Sequence, residues 1–426
     1  MQLGHAPVPV IVKRMNIEIV SCLFNPEPVI SARTSTDVAK QLARHGHRIR
    51  VITTYPNRPT GKLFEGYKRR LWSYDRSFAD FEVLRLFSVI SSESKVLSRF
   101  LENISFGMIA AAAVLFLEKP DVVYGVTWPI FAQGLLALVC RIRGIPLVLS
   151  VQDIYPESLS VQSRIGNRSG WLFRLLRWID LKTMRASTAV VVISEKFRQI
   201  YVQDRGIAPH KVHVIRNWID EGQVQIHPSE NHVRCSHNIP EDAFLVIYAG
   251  NVGAACGLDT VIRAFRDLAA DRNIYLLVAG SGSMLFDWRA LAGEIANPRV
   301  LFHTPWLTAE TSSVLAAASL FILPTYGNQS LVSVPSKLIT YMLAGRPVLC
   351  CATDDSDIAQ TIGSASCGWV IPAGDPALIS RKLRTLSQRP PDELRRLGDS
   401  GRSYALRYMT RAANLPRLVD LIQSVG

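Results

Sequence analysis

The stretch Val334-Pro-Ser-Lys-Leu-Ile-Thr-Tyr-Met-Leu-Ala-Gly-Arg-Pro-Val-Leu-Cys-Cys351 predicts a helix between two turn signals, followed at once by a buried strand. Pro335 suits a first helical turn, where a missing N–H costs nothing. Leu338, Ile339, Met342 and Leu343 give the helix an apolar face, Gly345 is a natural residue just past its end, and Pro347 blocks continuation. Lys337 falls in the first turn. A cation there is mildly unfavourable unless an anion binds between it and the free backbone N–H groups. A surface lysine fits the residue type equally well, so the flanking sequence decides.

From Met15 the flanking chain alternates short apolar runs with amphipathic helices. In the first half Ile17–Cys22, Ile49–Thr53, Val83–Phe87, Val122–Tyr124, Leu147–Val151 and Ala189–Ser194 read as strands, and Thr34–His45 as a helix closed by Gly46. A polar break at residues 222–241 separates a second series: Phe244–Tyr248, Ile274–Val278, Val300–His303, Leu320–Leu323, Val348–Cys351 and Trp369–Ile371. Strands alternating with helices imply βαβ units and parallel sheets, and continuous Val/Ile/Leu runs imply strands covered on both faces. The expected fold class is α/β, with two doubly wound, Rossmann-like domains over residues 15–215 and 216–402. Ligands in such sheets sit beyond the carboxyl ends of the strands, so the cleft between the domains is the default site. Residues 1–14 carry their charges at the end rather than the start and include Pro7 and Pro9, unlike a signal peptide; they read as a disordered leader.

Composition narrows the partners. Lys and Arg number 48 against 35 Asp and Glu, a net charge of +13, which favours anionic partners such as nucleotides or a membrane surface. Basic residues are spread out and no recognition motif appears, which argues against nucleic acid. The seven cysteines lack regular spacing and lie mostly in apolar runs, as in a reducing cytoplasm without disulfides. The longest apolar runs are about a dozen residues, short of the roughly 20 that a membrane span needs. Two segments suit the surface of an anionic leaflet: Trp171–Ala186, an amphipathic helix with Arg174, Arg177, Lys182 and Arg185, and the cluster Lys68, Arg69, Arg70 and Trp72. A core-packing helix with a solvated basic face is the alternative.

Three turns carry candidate chemistry. Tyr248-Ala-Gly-Asn-Val-Gly-Ala-Ala-Cys-Gly257 runs from a strand into a helix, and Gly250, Gly253 and Gly257 allow close backbone approach to a phosphate. It does not match the dinucleotide fingerprint, and tight turns alone also explain it. Ala279-Gly-Ser-Gly-Ser283 follows the next strand. With Ser336 and Lys337, these turns put three anion-friendly elements on one sheet edge, as a nucleoside diphosphate requires. In the first half, Asp153 and Glu157 of Gln152-Asp-Ile-Tyr-Pro-Glu157 read as paired carboxylates over the cleft, or as a helix cap and a solvated side chain. The run Asp354-Asp-Ser-Asp357 reads more readily as a helix cap than as a metal site.

The chain resembles the family-4 glycosyltransferases of the GT-B fold, in the subgroup that builds bacterial surface polysaccharides such as colanic acid, O-antigen and exopolysaccharide. The residues that carry the resemblance are Pro26-Glu-Pro-Val29 with Arg33, Thr54-Tyr-Pro-Asn57, Asp153-Ile-Tyr-Pro-Glu-Ser158 and Ile215-Arg-Asn-Trp-Ile-Asp220. In the second half they are Tyr248–Gly253, Val334–Leu338 with Ala344–Val348, and Cys367–Pro376. The resemblance implies a nucleotide-sugar donor, UDP-linked, held by the C-terminal domain, and a lipid-linked or saccharide acceptor held by the N-terminal one. It implies retention of configuration, no metal and no other cofactor. By the match, Gly250, Asn251, Gly253, Gly257 and Lys337 would hold the diphosphate, with Ser281 and Gly282 near the nucleoside and His303 and Trp306 flanking the base. Asn217, Ser333, Ser336 and Thr340 would face the donor. Arg33, Tyr55, Arg58, Trp128 and Glu157 would line the acceptor side, Asp153 would act on the acceptor hydroxyl, and residues 403–426 would cross back onto the N-terminal domain. The expected location is the cytoplasm, at the inner face of the membrane.

Two departures stand out. Relatives carry glutamates eight positions apart where this chain has Val332 and Thr340, so Ser333 and Thr340 are the expected replacements. The basic pair that relatives place after the first glycine turn is replaced by Asn251 and Ala255. A nucleotide-sugar epimerase on the same fold, or an inactive partner of another transferase, are the rival readings.

Overall fold

Eight strands form the first sheet: β1 (Asn16–Val20), β2 (Arg48–Thr54), β3 (Trp72–Asp75), β4 (Glu82–Leu86), β5 (Val122–Val126), β6 (Leu147–Val151), β7 (Ala189–Val192) and β8 (Val212–Val214). Their order is β3-β4-β2-β1-β5-β6-β7-β8, parallel throughout except where β3 runs antiparallel to β4. The second sheet contains β9 (Phe244–Ala249), β10 (Ile274–Ala279), β11 (Val300–His303), β12 (Leu320–Pro324), β13 (Val348–Cys351) and β14 (Gly368–Ile371). It is wholly parallel, in the order β11-β10-β9-β12-β13-β14. The structure, a computed structural model, describes residues 13–58, 61–90, 96–126, 130–158, 170–224, 232–253, 256–306, 310–326 and 336–426.

The period-2 geometry of β9 explains its composition. Leu245, Ile247 and Ala249 face one core, while Phe244, Val246 and Tyr248 face the other, and all six are buried. The strand pairs with β10 on one side and β12 on the other, so the chain leaves it in opposite directions and opens a crevice beyond Ala249. In the first sheet β1 holds the same place between β2 and β5.

The helix Pro391–Tyr408 stays with the second domain, packing on the helices Lys337–Leu343 and Asp357–Ala365. Thr410 then pairs with Ile219 of the first crossover. Beyond it, the helix Arg411–Val425 buries Leu415, Leu418, Val419 and Ile422 in the core that contains Ile17, Ile19 and Val38. Trp218 Nε1 donates to Asp37 Oδ2 at 2.9 Å and ties the first crossover to the helix Ile30–Arg44.

Two strands escape the periodicity reading. β3 is an edge strand whose Trp72 and Tyr74 face water, so it presents no apolar run, and β8 has three residues. Among the described residues no helix is long and apolar enough to cross a membrane.

Candidate active site

The helix that begins at Lys337 is seven residues long, Lys337–Leu343. Leu338, Ile339, Met342 and Leu343 are buried as their spacing requires, and Gly345 ends the helix at φ +66°. Tyr341 shares the face of Lys337 one turn on. Its ring stacks on Phe321 at 4.2 Å, and its hydroxyl both donates to Ala249 O and accepts from Ala249 N, each at 2.9 Å. This clamps the helix to the carboxyl end of β9 and sets Lys337 over the crevice. There Lys337 Nζ donates to the Tyr248 hydroxyl and to Asn251 O at 3.2 Å, and lies 4.4 Å from the Tyr248 ring centroid. Both acceptors are neutral. Burial lowers the ammonium pKa to about 8, while the neighbouring Cys256 thiol opposes the shift.

Both glycine turns are shaped by backbone contact. Gly250 sits at φ +142° with its N–H on Ala279 O, and a Cβ there would lie 2.5 Å from Lys337 Cε. Gly280, at φ +145°, would put a Cβ 2.0 Å from Gly250 O, and Gly282 would put one 2.3 Å from Val252 O. Val252 N donates to Ser281 O at 2.9 Å, and Met284 N donates to Val252 O at 3.1 Å, so the two turns are zipped together. Gly257, at φ +66°, opens the helix Leu258–Asp267 against the backbone of Thr325. Tight packing therefore accounts for Gly280 and Gly282, while Asn251, Ser281 and Gly282 remain exposed on the rim.

Beside the second glycine turn, His303 ends β11, its carbonyl accepting from Gly280 N at 3.2 Å and both ring nitrogens engaged: Nδ1 to His237 Nε2 at 3.1 Å and Nε2 to Glu310 Oε2 at 3.3 Å. Trp306 packs against the core below.

Between the domains lies a cavity of about 150 Å³, lined by Ser194, Arg216 and Asn217 from one side and Ser336, Asp357 and Gln360 from the other. Asn217 Nδ2 donates to Gln152 Oε1 at 2.7 Å, which fixes the chain beside Asp153. Burial raises the Asp153 carboxyl to about 6. Thr340 is half-buried one turn beyond Ser336. Three residues of the run Asp354–Asp357 have structural partners: Ser356 caps a helix by accepting from Ala359 N, Asp355 pairs with Lys196, and Asp357 accepts from Ser194 Oγ at 2.5 Å. Among the described residues no group of three His, Cys, Asp or Glu is placed to hold a metal ion.

Three of the expected acceptor residues, Tyr55, Arg58 and Glu157, are engaged by other side chains. Arg33 is exposed on the helix Ile30–Arg44. Tyr55 is 2% exposed, with its hydroxyl 2.8 Å from Ser73 Oγ. Arg58 pairs with buried Glu102 at 2.7 Å, and its N–H donates to buried Glu27. Glu157 is neither free nor paired with Asp153, because buried Arg205 binds it at 2.6 Å and also binds Asp180. Trp128, Ser333 and Val332 lie outside the described residues.

Comparison with known proteins agrees with this geometry domain by domain. Residues 31–223 match the family described as Glycosyltransferase Family 4, and residues 243–389 match Glycosyl transferases group 1. The chain is a family-4 glycosyltransferase. A protein of Escherichia coli (strain K12) named for a colanic acid biosynthesis glycosyl transferase, WcaI, is 24% identical over 309 residues, covering 71% of this chain and 74% of its own. Among solved structures, sucrose-phosphate synthase from Thermosynechococcus elongatus superposes with a TM-score of 0.71 at 17% identity, over 96% of this chain and 99% of that one. HepE of Anabaena, solved with UDP-glucose, does so with a TM-score of 0.68 at 14% identity, over 96% and 100%. At such identities the superpositions establish the GT-B fold.

Sequence reasoning left two site residues of this glycosyltransferase without a role. Tyr248 reads as the last residue of a strand, and Tyr341 falls outside the apolar face assigned to its helix. The available signal was that a buried tyrosine hydroxyl needs a partner, and both hydroxyls find theirs at the end of β9.

Proposed function

We propose that this glycosyltransferase moves a sugar from a UDP-linked donor to a saccharide or lipid-linked acceptor in the assembly of cell-surface polysaccharide. In this reading transfer proceeds with retention of configuration, without a metal ion, at the cytoplasmic face of the membrane. The observation that carries it is Lys337, a half-buried cation with only neutral partners, held over the glycine turn after β9. An anionic diphosphate in that crevice supplies the missing counter-charge. The UDP-glucose complex of HepE supports the donor class, and the name of WcaI supports the role in polysaccharide assembly. The seven free cysteines suit a reducing compartment.

In the proposed step the bond from the sugar C1 to the diphosphate oxygen breaks and a bond from C1 to the acceptor oxygen forms on the same face. The acceptor proton passes to the departing phosphate. Lys337 stabilises charge as it develops on the leaving group, and turns preorganised by backbone contact need no rearrangement to do the same. Asp153, ionised above about pH 6, accepts a hydrogen bond from the acceptor hydroxyl and orients it. Thr340 and Ser333 take the places of the glutamates that relatives aim at the donor.

A thermal-shift screen with UDP-, GDP-, dTDP- and ADP-sugars, and NAD as control, tests the reading. Binding to the native state alone adds about 2.7 kcal/mol at a hundredfold excess over Kd. A shift confined to the UDP-sugars is expected. A shift with NAD, or with no nucleotide sugar, overturns the donor site as described.

A further inference from the structure

The edge strand β3 carries exposed rings that the proposed step leaves unused. Trp72 pairs in register with Leu86 of β4, and Leu86 with Thr54 of β2, so β3 begins at the carboxyl edge of the first sheet, where the cleft lies. Strand alternation separates its side chains. Ser73 and Asp75 face inward: Ser73 Oγ lies 2.8 Å from the Tyr55 hydroxyl, and Asp75 accepts from Arg85 Nε at 2.7 Å. Buried Arg85 also donates to Thr54 O at 3.0 Å and to Asn25 O at 2.7 Å, which fixes β3 to the chain at the cleft. Trp72 and Tyr74 take the other face and stand 58% and 47% exposed, with ring centroids 6.1 Å apart at 81°. One ring face and one ring edge thus form an open corner on a rigid strand.

Cations flank the strand at both ends: Lys68, Arg69 and Arg70 before it and Arg76 after it, all exposed. The one acid between Gly66 and Arg76 is Asp75, which Arg85 neutralises. Arg69 lies 4.7 Å from the Phe87 ring centroid and donates to Ser88 O at 2.8 Å, whereas Lys68, Arg70 and Arg76 have no hydrogen bond or ion pair among the described residues. Charge at a sheet edge is ordinary protection against pairing with another chain. Bulky exposed rings work against that protection, so it explains the cations but not Trp72 and Tyr74. A second copy paired along β3 would set four cations against four. A sugar chain that carries acid groups accepts both features, its axial C–H bonds resting on a ring face and its carboxylates or phosphates meeting the ammonium and guanidinium groups.

We propose that β3 is a distal subsite for an acidic saccharide, which holds sugars of the acceptor chain remote from the reacting end. Five inter-strand steps separate β3 from β6, whose carboxyl end leads to Asp153. At about 4.8 Å per step that is roughly 24 Å along the rim of the cleft, the reach of an oligosaccharide and not of one sugar. The link to the acceptor rests on the proposed function; binding of an acidic saccharide at β3 does not.

Calorimetric titration of the full chain with the hexasaccharides of galacturonate, mannuronate and hyaluronan tests the subsite, with maltohexaose as the neutral sugar and hexaglutamate as an acid without sugar. At least one acidic hexasaccharide is expected to bind at least about tenfold more tightly than either control. Trp72→Ala with Tyr74→Ala is expected to weaken that binding at least about tenfold, and Trp72→Phe alone to keep most of it. Lys68→Ser with Arg70→Ser is expected to weaken it and to reduce its salt dependence. All these side chains are exposed, so unchanged melting and unchanged UDP-sugar shifts show that fold and donor site persist. Failure of all three acidic hexasaccharides to bind the wild type overturns the proposal, as does binding that is indifferent to the variants or matched by hexaglutamate. Self-association abolished by the ring variant overturns it too, by assigning the edge to a second copy. The titration contains no nucleotide and the thermal-shift screen no saccharide, so failure of the donor reading appears separately.

Discussion

Lys337 Nζ donates to the Tyr248 hydroxyl and stands 4.4 Å from the centroid of the same ring, with no carboxylate paired to it among the described residues. A cation so placed is costly without a ligand and useful with one. Replacing it therefore separates function from stability.

Lys337→Ala is expected to lower kcat at least about tenfold, in the range of removing one preorganised charge from a transition state. Steady-state rates check this. Wild-type turnover in the variant would remove Lys337 from the site.

The pKa of Lys337, lowered to about 8, gives two opposite pH effects. The ammonium is lost as pH rises through 8, so UDP binding is expected to weaken above that pH, as calorimetric titration at several pH values would show. In the unfolded chain the group stays charged to roughly pH 10.4, so between these values the unfolded state binds more protons. Stability from this group therefore rises with pH across that window. Lys337→Met, which removes the buried charge, is expected to raise Tm at pH 7 while losing the alkaline change in UDP affinity.

Asp153 is shifted the other way, up to about 6. The expected kcat/KM profile rises as pH passes 6, and Asp153→Asn lowers activity and flattens that limb. Because the native state holds this proton more tightly than the unfolded one, stability from Asp153 falls as pH rises from about 4 through 6. Asp153→Asn is thus expected to leave Tm at pH 7 unchanged or higher. An acidic limb that survives the substitution would assign it to another group.

Two glycines near the donor turn should differ sharply. Gly280→Ala places a Cβ 2.0 Å from Gly250 O at φ +145° and is expected to cost about 3 kcal/mol in urea unfolding. Gly253→Ala meets only the Asn251 amide, at 3.0 Å, and is expected to stay within about 1 kcal/mol. Equal losses would contradict the zipped turns.

Ser194 Oγ donates to Asp357 Oδ2 across the domains and also accepts from Phe197 N as a helix cap. Ser194→Ala and Asp357→Ala are each expected to destabilise by about 1–3 kcal/mol. The double variant should lose about 1 kcal/mol less than their sum. Strict additivity would mean that the contact does not hold the domains together.

Much of the frame is legible in short-range pattern. The apolar runs gave all six strands expected in the second domain, and Gly345 and Pro347 marked the end of the helix at Lys337. β3 was missed because its outer face is in water, and β8 because three residues show no period. The site is less legible. Asp153 and Glu157 sit four apart in sequence, yet Arg205, 48 residues beyond Glu157, takes that carboxylate out of the pair. Tyr55 and Arg58 look free in the sequence and are held by Ser73 and Glu102.

By itself, then, the amino-acid sequence determined the two α/β domains, their strand–helix alternation and the glycine turns, because these follow from the spacing of apolar, glycine and proline residues along a local stretch. Only the tertiary structure decided which polar groups stay available. Tyr341 anchors the Lys337 helix on Ala249, Gly280 packs on Gly250, and Ser194 reaches Asp357 across 163 positions. Such pairings depend on which chain segments meet in space, and burial sets their protonation once they have met.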